Sequence, residues 1–356
     1  MRAFVCKVCS SLLGFENSVC VTCGTDQGFS MPALDLVPVP TDGSGAVCAN
    51  LGLVGCQWLV DAPGQLCLSC RLTRTRPNDA DTEGLAALAT TEAAKRRLVY
   101  QLLDLALPIV SIEDDPAGVA FDLLSSRDES VITGHADGIV TIDLAEGDDA
   151  KREQMRLQMG EAYRTMLGHL RHETGHYYWQ VLVQGTVPTE GWIADPGSSR
   201  PWESGSDSLE HFRDLFGDER ADYGEALERH YEDGPPADWN ERYVSEYATA
   251  HPWEDWVETF AHYLHITDTI QTSAAYGIMV AGAEVVEDPE QQGLATIPLD
   301  SPSQLGSIEE IIAQWLPLSY ALNAVQRSMG QGDLYPFILS RPVIDKLGFV
   351  HDLVRH

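Results

Sequence analysis

Apolar side chains recur at three- and four-residue intervals along much of this chain, the spacing of amphipathic helices. The strongest such run covers residues 155–183, where Leu157, Tyr163, Met166, Leu167 and Leu170 follow a helical period and no proline interrupts. The same period predicts helices over residues 85–105, 209–231, 239–250, 253–269, 308–326 and 341–353. Alternation with period two predicts strands over residues 121–124 and 138–144. Residues 185–208, rich in Gly, Pro and Ser, predict a loop, and the polar, turn-forming residues 77–81 predict a linker. The pattern before residue 77 is different: short apolar runs broken by paired cysteines. The chain therefore divides into a small module over residues 1–76, a linker over 77–84 and a large domain over 85–356, an α+β protein that is mainly helical with a small sheet.

All eight cysteines lie in the first 70 residues. Cys6, Cys9, Cys20 and Cys23 form two C-x2-C knuckles, which place four thiolates around one tetrahedral ion. A second quartet follows in Cys48, Cys56, Cys67 and Cys70, of which only the last two form a C-x2-C; pairing across the quartets is the competing grouping. No charged-then-apolar leader is present, so a reducing, cytoplasmic setting is expected, in which thiolate metal sites outweigh disulfides. Two closed structural zinc sites follow, with rubredoxin-like iron the alternative by ligand type alone.

The large domain carries one compact chemical signal, His172-Glu173-Thr174-Gly175-His176. At about 100° per residue the two imidazoles stand one turn apart on one helix face, and Glu173 on the adjoining side can take a proton from a water. The plainer alternative is a structural helix with packed or capping histidines, and a third ligand decides between them. Extension to H-E-x-x-H-x-x-G-x-x-H fails at Trp179 and Leu182. A second helix supplies carboxylates instead: Pro252 near its start, then Glu254 and Glu258 four residues apart on one face, with Asp255 as a weaker candidate. His251, His262 and His265 crowd the same segment and are read as packed or solvent-facing histidines rather than a second metal site.

These residues resemble the gluzincins, zinc hydrolases whose second helix carries the third ligand. The resemblance implies that Glu254 binds the ion, Glu258 supports a zinc-bound histidine and Glu173 is the general base. The Pro-x-Glu-x-aromatic opening also looks like that of lethal-factor-like peptidases. Tyr247, seven residues before Glu254, stands where such enzymes place an oxyanion-stabilising tyrosine; a tyrosine packed between helices is the alternative. In zincins an edge strand ahead of the active helix pairs with extended substrate, and residues 138–144 are the candidate, or else an interior strand. The order from the cysteine quartets through R-L-T-R-T-R-P, R-H-E-T-G-H-Y-Y-W and H-P-W-E-D-W-V-E-T-F to R-P-V-I-D-K-L-G-F-V-H-D-L is similar, over nearly the whole chain, to a bacterial family of zinc-binding metallopeptidases with an N-terminal zinc ribbon. That implies one catalytic and two structural zinc ions.

Charge narrows the partners. With 23 basic against 54 acidic side chains the formal charge is −31, a surface that repels phosphate backbones, so nucleic acid is not an expected partner despite the ribbon. Arg71, Arg74 and Arg76 are the one basic cluster, read as solvated or as a clamp onto acidic residues of the large domain. No run of 18 apolar residues predicts a membrane span. The expected function is hydrolysis of peptide bonds in a peptide or protein substrate; the alternatives are a ribbon-centred binding or regulatory protein with an inactive or self-regulated zincin domain, and hydrolysis of a non-peptide amide.

Overall fold

The computed structural model describes residues 1–127, 130–147, 165–186, 206–283 and 294–355. They divide into two compact units, each considered by itself: residues 3–147 and 165–186 in one, and residues 209–283 and 294–355, with Met1 and Arg2, in the other.

The first unit starts with three two-stranded hairpins: β1 (Phe4–Val5) with β2 (Leu12–Leu13), β3 (Gln27–Ser30) with β4 (Asp35–Pro38), and β5 (Ala46–Val47) with β6 (Leu59–Val60). Two single-turn helices, α1 (Leu51–Val54) and α2 (Leu68–Arg71), complete the cysteine-bearing part. These pieces are too small to bury a core of their own. They pack instead on α3 (Thr82–Asp104), which Asp81 caps by accepting the Gly84 N–H at 2.9 Å. The fully buried ring of Tyr100 on α3 is the hub, with Phe15, Phe29 and Phe4 at 5.2, 5.7 and 6.0 Å and Trp58 behind Phe29 at 4.6 Å. Arg96 also donates to the Val54 carbonyl at 3.1 Å.

A four-stranded sheet follows in the order β7 (Thr73–Thr75), β8 (Ala120–Leu124), β10 (Ile139–Asp143), β9 (Gly134–Ala136). β7 and β10 run parallel to β8, and β9 is antiparallel to β10. This corrects the expected edge strand. Residues 139–143 lie between two neighbours, and β9 is the edge on that side. The reason is a two-residue turn at Asp137 and Gly138, both at positive φ (50° and 77°), the backbone that Asp-Gly supplies in a tight hairpin. The arginine cluster behaves as the expected clamp in part: Arg74 pairs with Asp122 of β8 and Arg71 with Asp114 at 2.6 Å, while Arg76 takes Asp79 at 2.7 Å.

The helix bearing the paired histidines is α4 (Met166–Tyr178), continued by a π-helical turn over Trp179–Val183. The predicted residues 155–164, with Leu157 and Tyr163, lie outside the described residues, as does most of the predicted loop. Thr165 caps α4 by accepting the Gly168 N–H at 3.0 Å. α4 packs on α3, where Arg171 donates twice to Gln101 Oε1 (2.9 and 3.1 Å), and the Tyr178 hydroxyl reaches the Pro108 carbonyl at 2.8 Å.

The second unit contains α5 (Ser206–Phe216), α6 (Tyr223–Asp233), α7 (Pro252–Ala275), the hairpin β11 (Met279–Ala283) with β12 (Leu294–Pro298), α8 (Ile308–Ser328) and α9 (Arg341–Arg355). Trp256 of α7 is buried among Phe212, Phe260 and Phe349 at 6.3, 5.9 and 6.1 Å. The single helix predicted over 209–231 is two, because Gly217 leaves the helix at φ +103° and Asp222 caps a new one by accepting the Glu225 N–H. The helix predicted over 239–250 is only two 3-10 turns, Trp239–Glu241 and Tyr247–Thr249. Between them the Arg242 carbonyl accepts from Lys346 at 2.8 Å and Val244 is buried, so the apolar spacing reflects an irregular segment pinned to the core.

Because Tyr100 joins the cysteine-bearing hairpins to α3, Tyr100→Ala is expected to lower the unfolding free energy by about 3–5 kcal/mol. Denaturant melts should show a lower midpoint at an unchanged slope.

Candidate metal centres and catalytic helix

The eight cysteines sort into the two quartets expected from their spacing. In each, the four Sγ atoms lie within 4.8 Å of one another, and all eight are free thiols. Cys6 and Cys23 are 3.7 Å apart, Cys9 and Cys20 3.6 Å, and Cys56 and Cys67 3.5 Å. Thiolates 2.3 Å from a tetrahedral zinc stand about 3.8 Å apart, so these separations fit zinc and exclude a disulfide. Neighbouring donors prepare the sulfurs: the Cys67 N–H points at Cys48 Sγ (3.3 Å) and Gln27 Nε2 at Cys6 Sγ (3.8 Å). Hydrogen bonds from the Thr25 side chain and backbone draw the Cys23 thiol down to about 6. In the buried second cage, hydrogen bonds from Cys56, Cys67 and Cys70 lower Cys48, while sharing protons with Cys48 and Cys56 pushes Cys67 up. Four buried thiolates need a cation.

On α4, His172 and His176 present their rings 5.6 Å apart in an edge-to-face arrangement, as residues one turn apart must. Glu173 is buried beside them. Burial opposes its ionisation, yet the hydrogen bond from His169 and the nearby His172 and His176 hold it down to about 2. His169 Nε2 lies 3.0 Å from Glu173 Oε1, and its Nδ1 lies 2.5 Å from Glu146 Oε2. Burial disfavours the charged imidazole, but the two carboxylates outweigh it and raise His169 to about 9. Glu146 is held in turn by the Thr133 hydroxyl at 2.7 Å. From the edge strand β9, His135 stacks on His176 at 5.9 Å with the rings 8° from parallel. Its Nε2 accepts the Gly138 N–H at 3.2 Å, and burial, then the neighbouring His176, lowers it to about 4. His135, Glu146 and His169 had no place in the sequence reading. The i, i+4 spacing of His169 and Glu173 was a visible signal; the approach of Glu146 was not.

In the second unit, His251 caps α7, its Nδ1 accepting the Trp253 N–H at 3.1 Å, and Pro252 takes the first helical position. The first turn then buries Glu254, whose Oε1 accepts the Tyr223 hydroxyl at 2.7 Å. Tyr223, missed in the sequence, is thus the phenol found on that carboxylate. Tyr247 sits half-buried in its 3-10 turn, edge-on to His230 at 6.0 Å. Glu258 Oε2 accepts the Ser245 hydroxyl at 2.6 Å. Asp255 is committed to Lys346 at 2.6 Å; burial pushes its carboxyl up to about 7, and Lys346 keeps it within reach of ionisation at neutral pH. His262 bonds the Tyr335 hydroxyl at 2.7 Å and burial lowers it to about 4, while His265 stacks on Tyr335 at 5.4 Å. These are packed histidines, and among the described residues neither joins a metal-ligating group.

The two four-cysteine cages mark a zinc-binding protein with an N-terminal ribbon. The chain belongs to the family described as "Putative zinc-binding metallo-peptidase", whose model matches residues 85–353, and residues 3–81 match a zinc-ribbon domain. It is similar to "Uncharacterized protein Rv2568c" of Mycobacterium tuberculosis (strain ATCC 25618 / H37Rv) and "Uncharacterized protein Mb2598c" of Mycobacterium bovis. Each is 48% identical over 357 residues, covering 99% of this chain and 95% of the relative. No solved structure matches. Among the described residues no helix is long and apolar enough to cross a membrane.

The raised His169 predicts a pH effect. Its folded-state value lies above the ordinary 6.5, so its stabilisation is complete below about pH 6.5 and is lost as pH rises through about 9. The unfolding free energy of the wild type relative to His169→Gln should fall by about 3 kcal/mol across that window, read from urea melts at each pH.

Proposed function

We propose that this protein is a zinc-dependent peptidase in which His172, His176 and Glu254 hold the catalytic ion, Glu258 supports the site and Glu173 is the general base. The observation that carries the reading is α4 itself: two imidazoles one turn apart and, between them in sequence, a buried carboxylate kept ionised. A purely structural metal site has no use for that third group. Two imidazoles and a carboxylate are the donor set zinc takes at a catalytic centre. When bound, zinc supplies a Lewis acid that polarises the scissile carbonyl and acidifies a water. Glu173 accepts the proton of the attacking water and returns it to the leaving amine. Glu254 brings its charge to the site with one oxygen steadied by Tyr223. β9, as the edge strand of its sheet, offers backbone groups to an extended peptide substrate. The two cysteine cages add two structural zinc ions, for three in all, in a protein working in the reducing cytoplasm on peptide rather than nucleic acid. Tyr247 is the proposed oxyanion donor.

The alternative, a ribbon-centred binding or regulatory protein, draws support from the apolar side chains Val8, Leu12 and Val21, exposed around the first cage. Elemental analysis separates the two. Wild type should hold about three zinc ions per chain and Glu254→Ala about one fewer, with Glu258→Ala retaining the ion more weakly. Cleavage of a peptide library by wild type and not by Glu173→Ala completes the test. Two ions in wild type, unchanged in the Glu254→Ala variant, with no cleavage, would move the binding reading ahead.

Tyr223→Phe removes the phenol from Glu254 without removing the carboxylate. Chelator competition should show zinc held about tenfold more weakly at one of the three sites, the two cysteine sites being unaffected.

A further inference from the structure

The chain Thr133, Glu146, His169, Glu173 runs from the residue before β9, through the turn after β10, to the acid of the H-E-x-x-H motif. Thr133 is fixed at both ends, accepting the Asp143 N–H at 3.1 Å and donating to Glu146 Oε1 at 2.7 Å. Glu146 Oε2 stands 2.5 Å from His169 Nδ1, an ion-pair contact without hydrogen-bond alignment, and His169 Nε2 hydrogen-bonds Glu173 Oε1 at 3.0 Å. Glu146 and Glu173 are buried, and His169 is largely enclosed between them. A carboxylate on a helix has several side-chain rotamers open to it, and a general base works only in the one that reaches its proton. Here one oxygen of Glu173 is tied by a hydrogen bond to a ring whose other nitrogen stands in ion-pair contact with Glu146. The second oxygen is left for the reaction.

We propose that His169 and Glu146 are positioning residues for the general base: His169 fixes the Glu173 carboxylate directly, and Glu146 acts through His169 by setting its ring orientation. This deepens the peptidase reading and rests on it. The arrangement has the logic of an acid that orients a histidine which acts on a third group, with the third group here a carboxylate on the same helix one turn further on. It also answers the cost of burial, since a histidine with a carboxylate at each nitrogen leaves no unpartnered charge in the row.

The test uses the zinc-loaded full chain, with fluorescein-labelled unfolded casein as the activity probe and histidine-selective 15N NMR as a readout independent of activity. In wild type, His169 should show two imidazole N–H protons protected from exchange. The Nε2 proton should be lost in Glu173→Ala, and the Nδ1 proton in Glu146→Ala. His169→Ala should lower kcat about a hundredfold with KM within about twofold and zinc content unchanged, the cost of misplacing a reacting group. His169→Gln, which keeps a donor for Glu173, should recover about tenfold of that loss, and Glu146→Gln, which keeps an acceptor for Nδ1, should be milder than Glu146→Ala. On a Glu173→Ala background, His169→Ala should cost nothing further, because residues acting as a unit are not additive. A structural role would instead lower the zinc content of every His169 variant, and its cost to activity would persist on that background.

The proposal is overturned if the protected protons are absent, if His169→Ala keeps the wild-type kcat, or if its loss follows loss of zinc. Zinc-loaded wild type that leaves casein intact sinks the peptidase reading itself, and the positioning role with it. Wild type that cleaves alongside an equally active His169→Ala sinks the positioning role alone.

Discussion

Burying a carboxylate is the most expensive thing this chain does, and the fold is arranged around the partners that make it tolerable. With 54 acids against 23 bases there are not enough lysines and arginines to go round, and several buried acids are matched individually. Glu92 is matched to Lys95 at 2.7 Å, Asp255 to Lys346 at 2.6 Å, and Glu146 and Glu173 share His169. The first two use a lysine, within α3 for Glu92 and between α7 and α9 for Asp255. The third uses a histidine, whose charge exists only because the two acids create it. That choice sits beside the histidine pair on α4, where a lysine would add a fixed positive charge next to the proposed zinc ion. Removing any one partner strands a charge in a low-dielectric interior.

The cysteine cages solve a different problem. Hairpins of two to four residues per strand cannot bury enough apolar area to order themselves, and metal ligation supplies what the missing core does not. The structure couples that gain to the large domain through Tyr100, since the rings of Phe4, Phe15 and Phe29 meet on it. The ribbon is therefore seated on the same helix, α3, that carries Gln101, the residue that holds Arg171 of α4. One helix serves both metal-binding regions of that unit, and its two sides are read by different residues.

Much of this was legible beforehand. Cysteine spacing gave both quartets because C-x2-C geometry is local, and the histidine pair followed from helical period alone. Pro252 marked the start of α7 because proline is favoured at the first helical position. What escaped was set by contacts distant in sequence. The segment around Val244 carries helical spacing but spends its backbone carbonyl on Lys346, a residue 104 positions away. Glu146 reaches His169 from a turn whose own sequence, Leu144–Gly147, has nothing to distinguish it. The edge strand was missed for a more avoidable reason: Asp137-Gly138 is a hairpin signal, and reading Gly138 as the start of a strand discarded the strand before the turn. Tyr223 was hidden by treating residues 209–231 as one helix, which smooths over the Asp222 cap that places it.

The pairing of β7 with β8 bears on how this protein can be divided. Thr73–Thr75 follows directly on the last cysteine knuckle, yet it is the first strand of the sheet whose opposite edge is β9. A chain trimmed to residues 85–353 would lose not an accessory but a border, and β8, buried over Ala120–Leu123, would present an unpaired edge to whatever strand came by. Shuffling this ribbon onto another domain, or this large domain away from its ribbon, would therefore meet a barrier of self-association. The two parts have become inseparable at the level of a single strand.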